Sequence, residues 1–170
     1  MSTAWTPSGN FLLPQNIDEN STTQKCELGT IVTAKHATYG VGEFIYLKGV
    51  ASTTVGAVVR YDVATVDEFQ SALATTAVTE SFPLAVAMSA CVAGEFGWYQ
   101  ISGMAIASKL AAASMVVSST ILVAAGEVDV SDTSNVVQGA MVAVVASANT
   151  SEGVVTVQLL INRPANCAIA

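Results

Sequence analysis

Short apolar runs, each closed by glycine or by a small polar cluster, recur from Leu28 onward at a spacing too tight for amphipathic helices. Alternation with a period of two is the mark of a half-buried strand. Residues 55–61 show it plainly, with Val58 and Arg60 on one face and Ala57, Val59 and Tyr61 on the other. Further strands are predicted at 28–34, 43–48, 84–91, 96–103, 104–109, 115–123, 127–130, 136–146 and 154–161. The glycines of the 36–42 segment mark a turn, Ala93-Gly94-Glu95 signals a compact hairpin, and Pro164 is expected to end the last strand. Residues 66–76 could form one or two helical turns, with Asp67 and Glu68 near the N-terminus. The alanine-rich piece at 109–113 is the other helix candidate. About nine to eleven short strands with regular turn signals predict an all-β sandwich or barrel.

Residues 1–26 read differently. Pro7, Gly9, Asn10, Pro14, Asn16, Asn20 and a Ser-Thr-Thr run leave little periodicity, so an extended N-terminal arm is expected before a β-rich domain at 27–170. The arm nevertheless carries Trp5, Phe11, Leu12 and Leu13. Large apolar groups of this kind anchor an arm to its own domain or to a neighbour.

Charge is scarce: 11% of residues are Asp, Glu, Lys or Arg, against 52% hydrophobic, where an ordinary globular domain has about 25% charged. A surface this poor in charge suits a protein covered by others. The formal net charge is −7 and the six Lys and Arg are scattered. No basic stripe exists for nucleic acid, so none is expected as a partner. The charge-free stretches at 110–126 and 133–151 are interrupted by Ser, Thr, Asn and Gln. Uncharged strands explain them better than spanning helices, which need about 20 predominantly apolar residues, and no membrane partner is expected. No secretory signal is visible in the first ten residues. The cysteines, Cys26, Cys91 and Cys167, are odd in number and far apart, which fits reduced thiols in a protein made in a reducing cytosol.

The residues offer no catalytic constellation. His36, the single histidine, sits beside Lys35 in a turn, where a solvated side chain is the ordinary outcome. Cys91 has apolar, strand-like flanks and reads as a buried thiol. Glu127, Asp129 and Asp132 lack the spacing and final glutamate of a calcium loop and read as an acidic turn. No phosphate-binding glycine loop occurs. The expectation is no enzyme, no metal and no cofactor. Phe96, Trp98 and Tyr99 follow the Gly94 turn. Aromatics so placed are usually core, and the sharper alternative makes Trp98 or Tyr99 an interface anchor.

The segments GTIVTAKHATYGVGEFIYLKGVASTTVGAVVRYD (29–62) and PLAVAMSACVAGEFGWYQISGMAIA (83–107) resemble the capsid decoration, or cement, proteins of tailed bacteriophages. The likeness lies in turn glycines and small apolar strands and spans about half the chain. It implies a β-rich, non-enzymatic protein on the outside of the virion head, made in the host cytoplasm. Such proteins commonly form trimers that bridge major capsid protein subunits. The acidic balance agrees with an exterior position, away from packaged phosphate. On this reading Trp5, Phe11, Leu12, Leu13 and Pro14 of the arm, with Trp98 and Tyr99, are the expected interface, and removing residues 1–14 should abolish capsid binding while leaving the core folded. Two alternatives stay open. One is another virion part (a head-fibre base, tail component or receptor-binding module); the other is a carbohydrate-binding β-sandwich.

Overall fold

The computed structural model describes residues 5–9, 12–62, 69, 71–74, 82–109, 121–124, 126–130, 135–142 and 155–168. Within them the protein is all-β. Twelve strands run in chain order: β1 (Thr6–Pro7), β2 (Asn20–Ser21), β3 (Ile31–His36), β4 (Gly40–Lys48), β5 (Val58–Tyr61), β6 (Ser71–Leu73), β7 (Phe82–Ala87), β8 (Phe96–Lys109), β9 (Ile121–Ala124), β10 (Glu127–Val130), β11 (Asn135–Val142) and β12 (Val155–Ala168). They form one connected network with a main path β1-β3-β4-β8-β12-β7-β5-β6. Nearly all pairings are antiparallel, the exception being a single parallel contact of Val128 with Lys109. Ser71–Leu73 pairs with β5 as a strand, so this part of the predicted helical turn is extended instead. Ala74 follows with its amide donating to the Val58 carbonyl; apart from Phe69, the rest of that segment, and the alanine-rich 111–113, lie outside the described residues.

The fourteen-residue β8 is the spine. Its first half pairs with β4, from Lys48↔Phe96 to Glu43↔Ser102, and its second half pairs with β12, from Asn162↔Ser102 to Val155↔Lys109. The predicted strands at 96–103 and 104–109 are therefore one continuous strand that changes partner in its middle. Ile101 is the extra residue of a bulge at the change, since Phe44 faces Gln100 while Glu43 faces Ser102. Gly103 follows with φ +97°.

On β12 the register neighbour of this point behaves likewise. Arg163 takes φ +46°, and the strand then leaves β8 and pairs with β7 at Ala165↔Pro83 and Asn166↔Phe82. Pro164 thus does not end the strand. It occupies the switch between two partners, where no ladder hydrogen bond is asked of its missing N–H. Because β7 also pairs with β8 at Val86↔Gln100 and Ala87↔Tyr99, the three strands close a corner. The link between β7 and β8 is longer than the compact hairpin expected; its Val92–Glu95 turn has Gly94 at φ +85°.

Strands at the centre are buried on both faces, and alternation sends successive side chains to different cores. On β4, Phe44 and Tyr46 join Ile17, Ala34 and Trp98, whereas Ile45 and Leu47 join Val59, Ala85, Tyr99 and Ile101. On β7, Ala85 and Ala87 enter that second cluster while Leu84 and Val86 face a third, with Ala105, Val123, Val128, Leu159 and Ile161. The short run FIYL is apolar throughout because neither of its faces meets water.

Gly103 cannot carry a side chain without displacing backbone: a Cβ there would collide with the Val41 carbonyl oxygen and Gly42 Cα. Gly103→Ala is expected to cost roughly 2–4 kcal/mol, measured by urea denaturation. A change within about 0.5 kcal/mol, the usual effect of a surface substitution, would mean that the corner does not need its glycine.

Candidate interaction surface

The arm is latched to the sheet by one buried polar group. Gln15 lies where residues 12–26 cross β4 and β8, and its amide is fully used. The Gln15 Nε2 donates to the Glu19 carbonyl at 2.7 Å and to the Phe96 carbonyl at 3.0 Å. The Tyr46 hydroxyl donates to Gln15 Oε1 at 2.8 Å, and the Trp98 indole donates to the Gln15 carbonyl at 3.1 Å. The Lys25 amide in turn donates to the Tyr46 hydroxyl at 3.1 Å. Tyr46 and Trp98 are both completely buried, and buried phenol and indole groups require such partners. Two residues further, Ile17 is buried beneath the arm. A short bridge of β2 to β8, Asn20↔Gly97 and Ser21↔Phe96, continues the attachment, and the Asn20 amide donates to Glu95 Oε2 beside it.

Closer to the N-terminus, Trp5 packs edge-on against Phe44 at 4.7 Å and tilted over His36 at 5.1 Å. His36 is buried rather than solvated, because its Nδ1 accepts from the Thr38 and Tyr39 amides at 3.0 and 3.2 Å and so closes the turn between β3 and β4. The Tyr39 ring stacks on it at 4.5 Å. This histidine completes a turn and faces aromatic rings.

The anticipated interface residues separate into two groups. Trp98 and Tyr99 each expose 0% of their surface, so neither offers a face to a partner. This corrects the expectation of a contact there: strand alternation sends Trp98 beneath the arm and Tyr99 into the opposite core. Trp5 and Leu13 are half-buried against Phe44 and its neighbours. Deleting residues 1–14 would therefore remove two side chains that pack on this core cluster. Pro14 is exposed, and Leu12 is 98% exposed, the most solvated large apolar residue described. Phe11 lies outside the described residues.

Two hollows flank Trp5. The first, about 200 Å³, is bordered by Trp5, Pro7, Leu12, Leu13 and Asn16. The second, about 100 Å³, is lined by Tyr39, Val55, Met88, Gln100, Met104 and Ile106 together with Trp5 and Ala87. Among the described residues no charged one lines either hollow. Its border continues into exposed apolar surface: Val55 is 61% exposed, and Leu160, the register partner of Met104, 50%. Sequence reading missed the second hollow because Met88, Met104 and Ile106 look like ordinary strand residues. Only the placement of Trp5 and Tyr39 beside them turns them into a rim.

Other chemistry is sparse. Burial pushes the Cys91 and Cys26 thiols up from the ordinary value, which disfavours the reactive thiolate. Cys167 lies in β12. Glu127 and Asp129 belong to β10 rather than to an acidic turn, and Asp132 lies outside the described residues. Among the described residues no group of three His, Cys, Asp or Glu is placed to hold a metal ion, and no helix is long and apolar enough to cross a membrane. The exposed Arg163–Glu43 pair at 3.3 Å spans the sheet corner; such surface pairs contribute at most about 1 kcal/mol. No family model, curated protein or solved structure matches the chain.

Tyr46→Phe removes the hydroxyl that serves both Gln15 and Lys25 and leaves buried polar atoms unpaired. A loss of about 1–3 kcal/mol is expected in chemical denaturation, and wild-type stability would show the latch to be dispensable. Burial also raises the Tyr46 and Tyr61 phenols. The unfolded chain releases its thiol and phenol protons near the ordinary values of 9.0 and 10.0, while the folded chain retains them to higher pH. The contribution of these groups to folding stability is therefore fully present below pH 9.0 and is lost as pH rises through the raised values. Urea midpoints across this range test the sign, and a midpoint that climbs with alkaline pH would contradict it.

Proposed function

We propose that this chain is a structural, non-enzymatic component of a viral particle: a decoration protein that sits on the outer face of a tailed-phage head. There it bridges major capsid protein subunits. The observation that carries the reading is the uncharged apolar surface around Trp5 and Leu12, held on a rigid all-β body by a fully paired latch. Such a surface is costly to leave in water and suits a neighbour of the same character. The net charge of −7 favours the exterior of the shell over its DNA-filled interior. The resemblance carried by residues 29–62 and 83–107 points the same way.

The mechanism is mass action. A protein that binds the assembled shell and not its free subunits stabilises the shell by about 2.7 kcal/mol per site when its free concentration is a hundred times Kd. Copies joined as a homotrimer gain further through avidity. No cofactor, metal or nucleic acid takes part. The carbohydrate-binding alternative draws less support, because Phe44, Tyr46, Trp98 and Tyr99 are spent inside the protein.

Cryo-electron microscopy of the particle that carries this protein tests the proposal. Density for the chain is expected on the outer head surface between capsid subunits, with heads stripped of it bursting at lower temperature. Density confined to tail or fibre, or heads equally heat-resistant without it, would overturn it.

A further inference from the structure

The second hollow brings two thioethers to the surface. Met88, directly after β7, and Met104, in β8, both border it and both are half-buried. The hollow measures about 100 Å³. A water molecule takes up about 30 Å³ in the liquid, so a peroxide, scarcely larger than water, fits inside. A thiol attacks a peroxide as its thiolate, whereas a thioether has no proton to lose. Burial keeps the Cys26 and Cys91 thiols protonated to higher pH. At neutral pH the two thioethers are therefore the reactive sulfurs of this region.

The methionines differ in what lies behind them. Met88 packs on the core cluster of Phe44, Tyr46 and Trp98, which also seats Trp5 and Leu13 of the arm. Its amide donates to the Trp98 carbonyl at 3.2 Å. Met104 borders the hollow without belonging to that cluster. The amide side chain in the wall, Gln100, already has both Nε2 hydrogens engaged, one with the Ser102 carbonyl and one with the Met104 carbonyl, each at 3.0 Å. It has none left for a sulfoxide oxygen.

We infer that Met88 is a peroxide-sensitive modification site that controls the seating of Trp5: its sulfoxide loosens the arm from the sheet, and its thioether seats it. The Met88 sulfur lone pair forms an S–O bond as the O–O bond of hydrogen peroxide breaks. Sulfur gives up two electrons; the released hydroxide takes the proton of the transferred oxygen and leaves as water. The product places a polar group against a largely apolar cluster, where a polar group without a partner is costly. The inference concerns the free chain and is independent of the capsid reading.

The full chain is treated with hydrogen peroxide, and peptide mapping by mass spectrometry locates the added oxygen. Hydrogen–deuterium exchange then compares the β4 amides with the Ser8 amide, which ties the Trp5 segment to the Thr33 carbonyl at 2.8 Å. Oxygen is expected on Met88, with Ser8 exchange about tenfold faster, as loss of one buried polar pairing predicts, and β4 protection unchanged. Methionine sulfoxide reductase should restore the slow rate. Met88→Leu, which keeps volume and apolarity, should abolish the acceleration under the same peroxide, and Met104→Leu should retain it. An unoxidised Met88, Ser8 exchange indifferent to its oxidation or not reversed by the reductase, or simultaneous loss of β4 protection would each overturn the inference. So would an acceleration that survives Met88→Leu or disappears in Met104→Leu.

Discussion

The hydrogen bond from Tyr46 to Gln15 is the contact on which the architecture turns. A sheet of this composition has apolar side chains on both faces of β4 and β8, and one of those faces would meet water without a further layer. The arm is that layer. It is too short and irregular to bury much surface by itself, so attachment depends on satisfying the polar groups that it covers. A single glutamine does so, accepting from Tyr46 and donating to two carbonyls while its own carbonyl receives the Trp98 indole. Filled in this way the buried network is favourable; left half-filled, it would cost more than an apolar contact.

From this latch the remaining features follow. Ile17 and Leu13 are apolar because the arm's underside is a core. Trp5 reaches His36 and Phe44 because the chain must cross the start of β4 before it arrives at Gln15. Leu12, between those two attachments, is turned outward, and the second hollow is completed by Trp5 where it packs on His36 and Phe44. The proposed contact surface is thus a consequence of how the third layer is fastened.

The all-β class was legible because apolar runs end after four to eight residues at glycine or small polar clusters, and because residues 57–61 alternate cleanly. The anchors of the arm were legible too, since Trp5 and Leu13 are out of place in a solvated tail. Other features could not be read locally. The change of partner within β8 at Ile101–Gly103, and within β12 at Arg163, depends on strands more than fifty residues away. That is why one strand looked like two and Pro164 looked like an end. Ser71–Leu73 carries helix-compatible residues but is extended by pairing with β5. His36 looked solvated because nothing in the sequence places Trp5 over it. Trp98 and Tyr99 illustrate the general limit: two neighbouring aromatics are equally good interface anchors until both faces of their strand are known to be covered.

The central claim is that residues 12–26 are a layer of the folded domain and not an appendage. Hydrogen–deuterium exchange of the intact chain, read at the Lys25 amide and across β4, tests it directly. If the arm is a structural layer, the Lys25 amide, held by the Tyr46 hydroxyl, exchanges only in the same cooperative opening that releases the β4 amides. Exchange of Lys25 at the rate of an unprotected amide, with β4 still fully protected, would contradict the account.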